Sequence, residues 1–421
     1  MRILVLSNLY PPVTQGGFEV ECSGVVERLR ARHEVLVLTT TLERRRAGEQ
    51  HDVRRELAFL SDDWRGALRA PAVAPAAIRS ARRALEWKPD LVYAWNVSST
   101  PQAALRVLAD SGLPLAFRVC SHVLADLFVE DQFLRELLPR TRNPARSAWS
   151  LGCRALNALP TMRLAPQAPL RAAISWNSET MKRLVKPPAF VETVFERVIH
   201  SVPRHGGLYA SVERHPAPEP EIAFVGRVTP FKGVGVAIEA LARLRSEHGI
   251  NARLVVVGPE DPDHGAEMRA LARRLGVGDQ VRWRGQSAPA QVAEVLARAH
   301  AMIVPSVWDE PFPLVTIEGA LARVPLVASD VGGISEGMHA DEHALLFPRG
   351  DSSAAAAALA RTLREGEGTA ARVTRARARA ESFRLQPYLD EQELFVRDAE
   401  RALAARSPDD DVVGAGADEG D

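Results

Sequence analysis

Glu310 and Glu318 are two carboxylates with seven residues between them in Trp308-Asp309-Glu310-Pro311-Phe312-Pro313-Leu314-Val315-Thr316-Ile317-Glu318-Gly319. The apolar run 301–305 just before them reads as a buried strand. Leu314, Ile317 and Leu321 recur at helical spacing. This pattern predicts Glu310 in the loop at a strand's carboxyl end and Glu318 about one turn into the helix that follows. In an open parallel α/β sheet such loops hold the ligand. Two carboxylates there can grip sugar hydroxyls, while the helix start offers N–H groups to an anion.

A second constellation is Phe224-Val225-Gly226-Arg227-Val228-Thr229-Pro230-Phe231-Lys232-Gly233. A strand ends at Val225, Gly226 permits a tight turn, and a helix starts after Gly233. Arg227 and Lys232 then project from one loop. Two such cations suit a diphosphate, whose charge grows as it leaves. Taken alone they read equally well as solvated surface cations, and the Glu310 loop tips the balance toward binding.

Other features carry less. Gly16-Gly17 follows the first strand and lets backbone approach a phosphate or a sugar, or serves as an ordinary turn. The fingerprint G-x-G-x-x-G is absent there, which argues against a nicotinamide site. His122 follows the strand ending at Val119 and by itself is a plain hydrogen-bonding residue. Val281-Arg282-Trp283-Arg284-Gly285 is a strand whose end, at Arg284, could read a nucleobase edge or simply pack in the sheet. Gly332-Gly333 is a turn or a further ligand loop. Asp261-Pro262-Asp263 resembles a metal-holding D-x-D triplet, yet it sits among turn formers with no further ligand placed beside it, so no metal is expected. The basic, apolar segment 144–159 reads as a lid over an acceptor in preference to a membrane-surface helix, and Arg44-Arg45-Arg46 has the same ambiguity.

The elements that must position these residues follow a βαβ alternation. The first half shows strands at 3–7, 34–38, 91–94 and 114–119, with a return to the sheet near 172–175; the second half restarts at 221–225, 254–257, 281–283, 301–304 and 326–328. Such alternation implies parallel sheets covered on both faces. Residues 131–168 break the pattern and read as helices over an opening. The proline-rich stretch 215–220 is the preferred boundary. The resulting division is 1–214, 215–384, a last helix at 385–406 crossing back to the first domain, and an acidic, glycine-rich tail at 407–421 expected to be disordered. With 421 residues the chain has room for two domains. Zero formal net charge gives no global pull toward nucleic acid or anionic membrane. Three widely spaced cysteines and an opening apolar run too short for a signal peptide fit a reducing, cytoplasmic setting, with peripheral contact at the inner membrane face as a variant.

Together, the Gly-Arg-x-x-x-x-Lys-Gly loop and the Glu-x₇-Glu motif, in this order, resemble those of the retaining glycosyltransferases of family 4. The likeness is strong over 222–347 and weaker over 42–214. It implies a GT-B fold, two facing Rossmann-like α/β domains. It also implies a nucleotide diphosphate sugar as donor substrate, no metal and no other cofactor. The acceptor stays open: a glycan, a lipid-linked glycan or a small molecule. By the resemblance, Arg227 and Lys232 neutralise the diphosphate and Glu310 meets the donor sugar. Glu318 meets the ribose, and Gly16 and Gly17 approach the donor from the first domain. His122 bonds the sugar near the reacting carbon. Gly226, Arg284, Phe312, Leu314 and Val315 complete the donor site, the last two through backbone N–H groups. Two departures stand out. Pro311 and Pro313 replace residues that are often glycine in the family, removing two N–H donors. The stretch 197–203 lacks the family's usual Pro-Asn-Gly turn. Rival readings are a nucleotide-sugar epimerase on the same fold and a non-catalytic nucleotide- or glycan-binding module.

Overall fold

The computed structural model describes residues 1–13, 17–42, 50–61, 64–121, 124 and 169–405, without the side chains of 64–68 and 71. The chain divides into two compact units. The first comprises residues 1–177, 182–199 and the chain from 389 on; the second comprises residues 178–181 and 200–388.

The first unit holds a seven-stranded parallel sheet in the order β3-β2-β1-β4-β5-β6-β7. Its strands are β1 (Arg2–Leu6), β2 (Glu34–Thr40), β3 (Val53–Leu57), β4 (Leu91–Ala94), β5 (Leu115–Val119), β6 (Leu170–Trp176) and β7 (Val191–Val198). Leu4 pairs with Leu36 on one side and Val92 on the other. Ile3 to Leu6 are wholly buried, which is why β1 reads as an unbroken apolar run instead of an alternating one.

Both edge strands, β3 and β7, escape the sequence pattern. Val53-Arg54-Arg55-Glu56-Leu57 buries alternate residues and carries charge between them. Charged residues suit a sheet edge, because they discourage pairing with another chain. They also hide the strand from a search for apolar runs.

The second unit has six parallel strands in the order β10-β9-β8-β11-β12-β13. These are β8 (Glu221–Val225), β9 (Arg253–Val257), β10 (Val281–Gly285), β11 (Ala301–Val304), β12 (Leu326–Ser329) and β13 (Leu345–Phe347). One core layer packs the helices Val234–His248 and Ser352–Arg364 on one face of this sheet. The other packs the helices Pro289–Arg298 and Leu314–Leu321 on the opposite face. In each sheet the chain reverses its direction of growth once, beside β1 and β4 in the first and beside β8 and β11 in the second. Those are the crevices where doubly wound sheets take ligands.

The second unit begins at His200, ahead of the 215–220 stretch suggested by composition. The proline-rich spacer is pinned to its own unit: Tyr209 and Val212 enter the core, and the His215 and Ala217 N–H groups donate to Ala297 and Arg298 carbonyls at 3.1 and 3.0 Å.

The last helix, Leu385–Ala404, joins the first unit from Leu389 on. Gln392 Oε1 accepts from the buried Tyr93 hydroxyl at 2.7 Å. The Phe395 ring lies 6.0 Å from Tyr93 and 5.8 Å from Phe195. Arg28 and Arg32 reach Glu393 at 3.0 and 2.8 Å, and Arg197 meets Asp398 at 2.8 Å. The Arg197–Asp398 pair is partly solvated and worth little, whereas Glu393 is buried and depends on Arg28 and Arg32 as charge partners.

Phe395 is fully buried, so Phe395→Ala should cost about 3–5 kcal/mol. The exposed neighbour Leu394 offers a control at about 0.5 kcal/mol or less. Urea unfolding of both variants checks this. Equal, small losses would mean that the helix is not anchored by its apolar face.

Candidate active site

In the second unit, β8 and β11 deliver the two constellations to adjacent positions at the carboxyl edge of the sheet. After β8 the chain forms a short 3₁₀ turn, Pro230–Lys232, closed by Gly233 in the left-handed region at φ +68°. A Cβ on Gly233 would fall 1.9 Å from the Pro305 carbonyl oxygen, so only glycine lets this turn press against the end of β11. The Val307 N–H donates to the Phe231 carbonyl at 2.9 Å and fastens the two loops together.

Lys232 Nζ consequently lies 2.6 Å from Glu310 Oε1. The same oxygen accepts from the Ser306 hydroxyl. Glu310 is buried, with its side chain 4 % exposed against 22 % for Lys232. A buried carboxylate needs such partners, since desolvation without them costs several kcal/mol. Arg227 is exposed and has no side-chain partner among the described residues. One cation of the loop is therefore committed to Glu310 and the other is open to a ligand.

Gly332 and Gly333 hold the Glu310 loop from behind. The Gly333 N–H donates to the Glu310 carbonyl at 2.6 Å. A Cβ on Gly332 (φ +54°) would fall 2.4 Å from that same oxygen. This glycine pair supports the loop through its own close packing.

A further strap comes from the start of the helix Glu179–Leu184. The Ser178 hydroxyl donates to the Pro311 carbonyl at 2.6 Å. The Glu336 carboxylate accepts from the Glu179 and Thr180 N–H groups at 2.8 and 3.0 Å and pairs with His200 Nε2 at 2.6 Å. Burial raises the Glu336 carboxyl, but the His200 bond and the two backbone donors overcome it and hold the group at about 2. Ser178, Ser306 and Glu336 carry no local motif, and the sequence reading misses their roles.

Glu318 occupies the fifth position of the helix Leu314–Leu321. Gly319 beside it lets this helix approach the sheet, where a Cβ would meet Met302 Sδ at 2.6 Å. Glu318 is half-buried, and loss of solvation raises its carboxyl to about 7. Near neutral pH it can therefore either donate or accept a hydrogen bond. Leu314 and Val315 are the first two residues of this helix, after Pro313 at the N-cap. First-turn N–H groups have no acceptor within a helix.

Several expected residues stand apart from this centre. Phe312 is buried, its ring 5.0 Å from His200 and 5.5 Å from Phe383, so its side chain belongs to the core. The Gly226 N–H is spent on the Val257 carbonyl at 2.9 Å. Arg284 is exposed on the edge strand β10. Gly17 opens the helix Gly17–Arg30 in the first unit. Gly16, His122, Arg44-Arg45-Arg46 and the 144–159 segment lie outside the described residues.

Asp261 of the D-x-D triplet caps the helix Pro262–Arg274, accepting from the His264 N–H at 2.9 Å. The groups of His339, Glu342 and His343 gather within 4.8 Å at the amino end of β13, the opposite edge from Lys232. There His343 Nδ1 accepts from the His339 N–H at 3.1 Å. That bond leaves the hydrogen of the neutral ring on Nε2, so the arrangement is a hydrogen-bonded turn and not a ligand set.

Residues 209–379 match the family model described as Glycosyl transferases group 1. A D-inositol 3-phosphate glycosyltransferase of Acidothermus cellulolyticus is 36 % identical over 151 residues, which is 34 % of each chain. The chain thus spans about a third of the length of that curated relative. Among solved structures, sucrose-phosphate synthase from Thermosynechococcus elongatus aligns with a TM-score of 0.70 at 19 % identity, over 95 % of this chain and 99 % of that one. HepE of Anabaena in complex with UDP-glucose aligns with a TM-score of 0.66 at 20 % identity, over 94 % of this chain and all of that one. The fold is therefore the GT-B type, with a group 1 glycosyltransferase model matching most of the second unit.

Ionising Glu318 opposes folding. A carboxyl raised from 4.5 to about 7 contributes stability that is fully present below the unfolded value and is lost as pH rises through the folded one. Glu318→Gln cannot ionise. Its Tm should match wild type near about pH 4 and exceed it increasingly up to about pH 8. A gap that does not grow with pH would contradict the burial of this group.

Proposed function

We propose that the protein is a retaining glycosyltransferase that moves a sugar from a nucleoside diphosphate donor to an acceptor hydroxyl without a metal ion. The observation that carries this reading is the Lys232–Glu310 pair, with exposed Arg227 in the same loop as Lys232, at the switch point of the second sheet. The group 1 match over the same residues supports it.

The chemistry follows from charge. When the glycosyl–oxygen bond breaks, the electron pair stays on the diphosphate and the anomeric carbon becomes oxocarbenium-like. Arg227 and Lys232 stabilise the growing phosphate charge, the larger share of which falls on Lys232 once the phosphate competes with Glu310 for it. Glu310, held by Ser306, accepts hydrogen bonds from donor-sugar hydroxyls. Glu318 meets the ribose hydroxyls, and the Leu314 and Val315 N–H groups meet the phosphates. Bond formation to the acceptor oxygen occurs on the face the phosphate leaves, and the leaving phosphate takes the acceptor's proton. No flanking carboxylate pair is then required, in contrast with a glycosidase.

UDP and UDP-glucose are bound by structural neighbours, which supports a uridine donor as the first to test. The Acidothermus relative is a glycosyltransferase and the Thermosynechococcus neighbour a synthase, which favours transfer over epimerisation. No helix among the described residues is long and apolar enough to cross a membrane; a cytoplasmic setting is part of the proposal.

Thermal-shift assays with UDP, GDP, ADP and TDP, each with and without Mg²⁺, should give one clear stabiliser whose effect survives chelation. A strict Mg²⁺ requirement would contradict the metal-free reading. Arg227→Ala and Lys232→Ala should each lower turnover by about a hundredfold or more. Wild-type rates in both would remove the site from the reaction. Glu318→Ala should weaken nucleotide binding more than it slows the chemical step; the reverse order would exclude its ribose role.

A further inference from the structure

Glu310 can select a sugar only while its loop holds still, since a misplacement of about 1 Å can cost about a hundredfold in rate. The two residues after it offer different handles: Pro311 a backbone carbonyl, Phe312 a buried ring. One side chain stands behind both. Glu336 lies in the short helix Ile334–Gly337, whose backbone is itself pinned. Arg379 donates to the Glu336 and Gly337 carbonyls, each at 3.3 Å, and lies over the Phe383 ring at 5.1 Å. All of these groups belong to the second unit, which takes in residues 178–181.

From this fixed point the carboxylate acts in two directions. The first leads to Pro311. Glu336 accepts from the Glu179 and Thr180 N–H groups, and Ser178 Oγ accepts from the Met181 N–H at 3.0 Å. Three first-turn donors that a helix leaves without partners are thereby met. The Ser178 hydroxyl hydrogen goes to the Pro311 carbonyl. The second direction leads to Phe312, because Glu336 Oε1 bonds His200 Nε2 and the His200 ring lies against Phe312. Held at about 2 by these bonds against the cost of burial, the carboxyl stays charged at any working pH. The nucleotide side of the site is held by other means. Gly233 and the Val307 N–H fasten the Lys232 turn. Buried Ile317, Gly319 and Ala320 seat the helix that carries Glu318.

We infer that Glu336 is a positioning residue for sugar selection: acting through Pro311 and Phe312, it holds the Glu310 carboxylate in place for the donor sugar's hydroxyls and leaves nucleotide affinity to Arg227, Lys232 and Glu318. Calling the ligand a donor sugar rests on the transferase reading; the bonding network does not. The division has a consequence opposite to general damage. When Glu336 lets go, Glu310 relaxes and engages Lys232 less. The attached sugar then loses its partner, while a bare diphosphate keeps or gains affinity.

Calorimetric titration of the full chain with UDP, GDP, ADP and TDP, each with and without an attached glucose, tests this. Glu336→Gln keeps the shape but turns an NH₂ toward groups that themselves donate. It should weaken the glucose conjugate about tenfold and leave the bare diphosphate within about twofold of wild type, or tighter. His200→Phe keeps a ring beside Phe312 and loses only the bond; it should shift the conjugate the same way by about threefold, and it carries the test should Glu336→Gln not fold. Equal weakening of conjugate and diphosphate, or an unchanged conjugate in both variants, would overturn the inference. Hydrogen exchange of the ligand-free protein is read in parallel. Both variants should speed exchange over residues 306–312 more than over 227–233; unchanged exchange over 306–312 would overturn the inference whatever binds. If no nucleotide binds wild type while exchange rises as stated, the transferase reading fails and the hold of Glu336 on the Glu310 loop stands.

Discussion

The contact between Lys232 and Glu310, 2.6 Å long and seated where Glu310 is almost fully buried, fixes most of what surrounds it. A buried carboxylate must be neutralised or solvated by the protein. Lys232 reaches it only because Gly233 lets the 3₁₀ turn meet Pro305. The Glu310 loop holds its course because Gly332 and Gly333 pack against its backbone and Ser178 ties down Pro311. Removing any one of these supports would move the carboxylate, and with it the ammonium that a phosphate would compete for.

The same contact explains an asymmetry between the two cations. Arg227 stands in solvent, while Lys232 is already engaged. An arriving diphosphate can be met first by the guanidinium, at little desolvation cost, and then exchange for Glu310 at the ammonium. Glu310 would regain hydrogen bonds from hydroxyls of the attached sugar. On the proposed reading, phosphate and sugar would be recognised by one exchange of partners, which would tie donor identity to correct placement of the leaving group. Glu318 adds a group balanced between its protonation states, set by burial alone.

Much of this was legible in the sequence, for physical reasons. Strands buried on both faces, such as Ile3 to Leu6 and Ala301 to Val304, cannot hide their apolar runs. Their order fixed the loops on the carboxyl edge, and so brought Arg227, Lys232 and Glu310 to neighbouring strands. Edge strands β3 and β7 stayed hidden because charged residues, Arg54, Arg55 and Glu56 in one and Glu192, Glu196 and Arg197 in the other, break up their apolar runs. The roles of Ser178, Ser306 and Glu336 depend on contacts between segments far apart in the chain, which no local spacing encodes. Phe312 illustrates the opposite error: a residue inside the motif whose ring turns to the core beside His200 and Phe383. The domain divide was misplaced toward 215–220 because proline content signals a stiff segment without saying whether that segment is bonded to its neighbours.

A structure of the protein with a nucleoside diphosphate bound tests the central claim most directly. The account predicts phosphate oxygens within about 3 Å of both Lys232 Nζ and the Arg227 guanidinium, with the Lys232–Glu310 contact lengthened. Phosphates bound elsewhere, with Lys232 still resting on Glu310, would contradict it.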